Sequence, residues 1–163
     1  MTLGAQFSKE LEMETPATRK CLERIPGELF GWKPHEKSMP MGYLALVVAE
    51  IPKWLTTIIE TGEIDFGTWE RYEPKTSADL VNRFDQNLTA AHKALQRVND
   101  EALSETFSLK NKGTLLMSSP KDESIISSIN HLVHHRGQLT VYMRLNDILV
   151  PSIYGPSADD KTF

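Results

Sequence analysis

Apolar residues recur three or four positions apart along most of the chain, the signature of helices that bury one stripe and expose the rest. Four segments carry it. The first runs through Leu3, Phe7 and Leu11, then Leu22, Ile25 and Leu29. Thr15-Pro16 interrupts it, predicting a kink or a restart with Thr15 as N-cap, and Pro26-Gly27 ends it. The second holds Leu44, Val47, Val48, Ile51, Leu55 and Ile58. Ser38 and Pro40 mark its start, Pro52 should kink it, and Gly62 stops it. The third, Leu80 to Val98, has Ser77 as its predicted N-cap. The fourth holds Ile125, Ile129, Leu132, Leu139 and Met143, with Ser119 as predicted N-cap, Pro120 as first helical residue and Asp122 as the acid of a capping box.

Such stripes are unstable unless they face one another, so the pattern predicts an all-α four-helix bundle forming one domain over residues 1–163. Between the third and fourth helices, Phe107, Leu109, Leu115 and Met117 alternate around Asn111-Lys112-Gly113, predicting a hairpin or irregular excursion. The long stretch from Gly62 to Thr76 leaves room for a crossover between the second and third helices. Pro151, Gly155 and Pro156 make the tail non-helical.

Composition narrows the function classes. The 163 residues carry 18 Lys+Arg and 22 Asp+Glu, a formal net charge of −4. Nucleic-acid binding is not expected of so acidic a chain, nor is membrane binding. The longest apolar run, Tyr43 to Ala49, is far shorter than the roughly 20 residues of a membrane span, and residues 1–10 lack the pattern of a signal peptide. A single cysteine, Cys21, excludes an intrachain disulfide. These features point to a cytoplasmic protein.

The candidate chemistry lies in the histidines. His131 and His135 are four apart and so stack on one helical face, where two neutral imidazoles can share one ion. His131 and His134 form a second possible pair. The alternative is a solvated or hydrogen-bonded histidine cluster. Gln138 and Tyr142 share the flank of His131 and His135. His35 reads as a loop-tethering residue and His92 as a surface or boundary one.

Four strings taken together carry a resemblance. They are Trp32-Lys33-Pro34-His35 through Lys37-Ser38-Met39; Met41-Gly42 with Leu44-Ala45 and Val48-Ala49-Glu50-Ile51-Pro52; Asn130-His131-Leu132-Val133-His134-His135-Arg136-Gly137-Gln138-Leu139; and Val150-Pro151-Ser152-Ile153-Tyr154-Gly155-Pro156-Ser157. In this order the chain resembles the DinB family. The resemblance implies a four-helix bundle, a homodimer, and a divalent metal ion, zinc or nickel, held by one histidine of the second helix and an HxxxH pair of the last. That pair corresponds to His131 and His135. The second-helix position corresponds to Val47, which cannot coordinate, and the second helix holds no histidine at all.

The resemblance therefore implies a metal-dependent enzyme acting on a small molecule, a thiol-dependent transferase or a hydrolase, with an incomplete ligand set. Glu50 is the nearest substitute ligand in sequence, and Gln138 or Tyr142 would orient ligands. The competing expectation is a non-catalytic homodimeric binding or stress-related module whose metal site has degraded. Arg136 is expected either to pair with an acid across the bundle or a dimer interface or to stand solvated, and Tyr154 to order the tail against the bundle or cover the mouth of the site.

Overall fold

The computed structural model describes residues 1–162. Four long helices form its frame: α1 (Leu3–Arg24), α2 (Met41–Glu60), α3 (Ser77–Arg97) and α5 (Lys121–Leu145). A single turn, α4 (Asp100–Leu103), follows α3. Three strands, β1 (Glu63–Asp65), β2 (Thr106–Asn111) and β3 (Thr114–Pro120), form one sheet in that order. The all-α expectation is thus correct for the bundle and incomplete for the whole, because the excursion before α5 is an ordered hairpin to which β1 adds in parallel.

Contacts at the two ends fix the topology. At one end the Leu3 amide donates to Asp100 (2.9 Å), Lys121 Nζ reaches the Ile59 carbonyl (3.4 Å) and the Ser108 amide bonds Gly62 (2.9 Å). At the other, Arg24 donates to the Leu149 carbonyl (3.0 Å), Gly27 abuts the Lys75 backbone, and Trp32, next to the start of α2, packs edge-on against Tyr142. Helices α1 and α5 therefore run one way, and α2 and α3 the other. Each of α1 and α2 packs against both α3 and α5 and barely touches the other. Because α2 and α3 are parallel, residues 61–76 return along the bundle as the crossover that their length allowed.

The core is the set of helical stripes. Leu44, Val48, Ile51, Leu55 and Ile58 of α2 are each at most 2% exposed, and full burial of such a side chain contributes about 1.5–3 kcal/mol. Among the described residues, α2 alone is long and apolar enough to cross a membrane by composition, but this core role accounts for its hydropathy. Cys21 is fully buried, and burial pushes its thiol up to about 11.

Several predicted ends shift. Pro16 and Pro52 sit inside continuous helices. Thr15 does not restart α1; its hydroxyl donates to the Leu11 carbonyl. The N-cap of α3 is Thr76, not Ser77, in a reciprocal capping box with Asp79. Strand β3 continues through Pro120, so Pro120 is the N-cap residue of α5 and Ser119 is not. The Ser119 hydroxyl pairs with that of Ser124, and the Asp122 carboxylate accepts from Glu123 without closing a box. Gly62, at φ +68°, ends α2 as expected.

The β2–β3 turn has positive φ at both Lys112 and Gly113, as a two-residue primed turn requires. Asp65 secures it by accepting from both of their amides and from Gly67. Those amide donors hold its carboxyl below the usual range.

Candidate functional site

The middle of α5 presents the histidines on the side facing α2. His131 Nε2 and His135 Nε2 face each other at 2.6 Å. His135 Nδ1 meets the Gln138 amide oxygen at 2.7 Å. If Nδ1 carries the proton donated to Gln138, the Nε2 of neutral His135 is left as an acceptor, the tautomer a metal ligand needs. His131 must then supply the proton of the Nε2–Nε2 contact. His134 contacts only the His135 ring, at 5.1 Å, so the alternative pair with His131 is not formed.

From α2, Trp54 packs edge-on against the His131 ring, at 5.2 Å. Lost hydration, followed by the neighbouring imidazoles of His135 and His134, holds the His131 imidazole below the ordinary histidine range. Below His131 is an apolar cavity of about 140 Å³, whose walls include Trp54, Ile58, Phe107, Leu109 and Ser128.

Val47 is half-buried and lies two turns before Trp54 on α2. Because α2 and α5 are antiparallel and Trp54 lies beside His131, Val47 falls further along α5 than His131, toward its C-terminal half. It lines an open groove of about 630 Å³ shared with Trp54 and with Trp69 and Tyr72 of the crossover. Glu50 does not turn to the histidines. Its carboxylate takes a two-nitrogen grip from Arg83 (2.7 and 3.1 Å) and a bond from the Trp69 indole (3.4 Å). Arg83 also bridges to Glu70, which Lys53 holds as well, and these two cations lower the Glu70 carboxyl to about 2.

The donor set can be tested against a divalent ion. Two imidazole nitrogens about 2.0–2.1 Å from one tetrahedral ion stand about 3.3 Å apart. The rings would therefore part by about 0.7 Å and His131 would release its Nε2 proton. Both side chains reach solvent, so neither change disturbs the core. The pair fits two-point capture of zinc or nickel. It does not fit a three-histidine site, because Val47 offers no donor and Glu50 is engaged elsewhere. Among the described residues, no group of three or more His, Cys, Asp and Glu side chains converges.

Other candidate residues have structural partners. Tyr142 lies edge-on against Trp32 at 5.5 Å. His35 accepts from the Lys37 amide (3.1 Å), as a loop tether should. Half-buried His92 meets the Ser8 hydroxyl at 2.7 Å across α1 and α3.

Arg136, beside His135 in sequence, turns about 100° away, toward α1. It is 1% exposed and pairs with Glu14 of α1 at 2.6 Å. It also donates to the Glu14 carbonyl, the Thr18 hydroxyl and the Tyr154 hydroxyl. Tyr154 thus ties the tail to α1 and α5, away from the histidines, and does not cover their site. Sequence reading missed Trp54 as the wall of His131 and Glu14 as the partner of Arg136. The signal for Trp54 was its spacing of seven from Val47; for Glu14 there was none.

Comparison with known proteins matches the DinB family over residues 1–162. The uncharacterized protein YrdA of Bacillus subtilis (strain 168) is 29% identical over 158 residues, spanning 94% of this chain and 89% of YrdA. Among solved structures, a DinB-like protein of Bacillus subtilis superposes with a TM-score of 0.70 at 18% identity, covering 96% of this chain and 99% of its own. Another from Bacillus cereus gives 0.66 at 23% identity, covering 91% and 95%. These two likenesses establish the fold.

Proposed function

Because the chain belongs to the DinB family, we propose that it binds a small molecule at the His131–His135 pair, with a zinc or nickel ion held by the two imidazoles. The observation that carries this reading is the facing of the two Nε2 atoms at 2.6 Å, with Gln138 on the far nitrogen of His135. Such an ion would supply Lewis acidity and lower the pKa of a bound water or thiol, the chemistry of a hydrolase or thiol-dependent transferase. The chain's own residues have simpler roles: Gln138 fixes the tautomer of His135, and Trp54 limits water around His131.

Val47 favours a second reading, a non-catalytic binding or stress-related module in which the pair is a hydrogen-bonded remnant. In either case we propose a cytoplasmic homodimer. Exposed Leu115 and Leu116 on the edge strand β3 supply apolar surface suited to association. Metal analysis separates the readings. After loading with nickel or zinc and gel filtration, the first reading expects bound metal in the wild type and none in His131→Ala or His135→Ala. Equal metal in all three, or none in any, overturns it.

A further inference from the structure

The cavity below His131 differs in character from the groove beneath the crossover. The groove is bordered by Glu50, Glu70, Arg71 and Glu73. The cavity is lined by apolar side chains, three serines and His131, and no residue in its wall carries a carboxylate, ammonium or guanidinium. Burying a charge there would leave it unpaired, at a cost that selects against ionic ligands. At about 140 Å³, its size is that of apolar cavities that accept a benzene-sized guest.

The polar part of the wall is also specific. Ser128 donates to the Ser124 carbonyl (2.8 Å), and Ser124 lies within 3.0 Å of the Pro120 carbonyl. The Ser128 hydrogen is thus committed within α5 and its oxygen remains as an acceptor, whereas the Ser124 hydroxyl is already shared with Ser119. Its lining includes Phe66 and Met117, 51% and 45% exposed, so the cavity reaches the surface and entry does not require the core to open. His131 is shared between this cavity and the histidine pair.

We infer that the cavity is a subsite for the uncharged apolar end of the ligand, a group the size of a benzene ring, with a hydroxyl or amide N–H directed at the serines or His131. This deepens the proposed function, since it rests on the His131–His135 pair being the binding centre, and it names the ligand class as small, neutral and apolar.

The test titrates benzyl alcohol into the metal-free full-length protein, followed by NMR of the His131 ring protons and the Trp54 indole. Saturable shifts at both are expected, with benzoate and benzylammonium at least tenfold weaker. Met117→Trp and Ser127→Phe, two changes at exposed or half-exposed rim positions, should each weaken binding at least tenfold without altering the thermal melt. No saturable shift, equal binding of the charged analogues, or undiminished binding in both variants overturns the subsite. Repeating the titration with benzyl mercaptan on nickel-loaded protein separates this inference from the metal reading. If the mercaptan gains nothing over the alcohol and no nickel is retained, the metal reading falls and the subsite stands. If nickel is retained but neither compound shifts Trp54, the subsite falls and the metal reading stands.

Discussion

Arg136 and His135 are adjacent in sequence, yet their side chains take opposite parts in the molecule. Arg136 is buried against Glu14, Thr18 and Tyr154. Removing one partner from a buried ion pair strands the other, at a cost of about 3–5 kcal/mol. Arg136→Ala should therefore destabilise the protein by about that amount in urea unfolding. Tyr154→Phe removes only hydroxyl bonds and should cost about 0.5–1.5 kcal/mol. An equal effect of the two would mean that the guanidinium is not the centre of the network. The histidine pair was legible because a spacing of four on a helix fixes a shared face. The partner of Arg136 was not, because Glu14 lies 122 residues away and only packing of α1 on α5 brings them together.

At the scale of elements, the four long helices followed from periodicity, while two N-caps and strand β1 did not. Strand β1 has three residues and one buried side chain, Ile64, too little for a pattern. The cap of α5 was misplaced because pairing carries β3 through Ser119 and Pro120, and tertiary pairing overrode a local capping signal. Close helix packing makes a sharp prediction at Gly4, where an added Cβ would lie 2.3 Å from the Leu95 carbonyl oxygen. Gly4→Ala should force α1 from α3 and cost about 1–3 kcal/mol, read by urea unfolding; an unchanged midpoint would contradict this packing.

The tail is held by two carboxylates. Asp159 accepts from Arg144 and the Val150 amide, and its carboxyl is lowered mainly by the Arg144 bond. Asp160 is lowered to about 2, first by Thr162. Because these folded-state values lie below the unfolded ones, their contribution is present above about pH 4 and is lost as pH falls toward 2. The Val150 amide resonance should shift through that window, and a flat titration would show that the carboxylates do not hold the tail.

At the scale of the whole molecule, the parallel α2–α3 pair and its crossover shape the candidate site. The crossover walls a groove over Val47 and Trp54, and Trp54 in turn packs against His131. The length of residues 62–76 made that crossover legible; the groove it encloses was not, since Trp69 and Tyr72 have no helical period to place them. We propose that this chain keeps a two-histidine anchor whose third ligand position is Val47. Calorimetric titration of nickel into wild type and Val47→His, with His131→Ala as control, tests it most directly. Val47→His should bind nickel at least a hundredfold more tightly than wild type, with His131→Ala showing no site-specific binding; unchanged affinity in Val47→His would contradict the account.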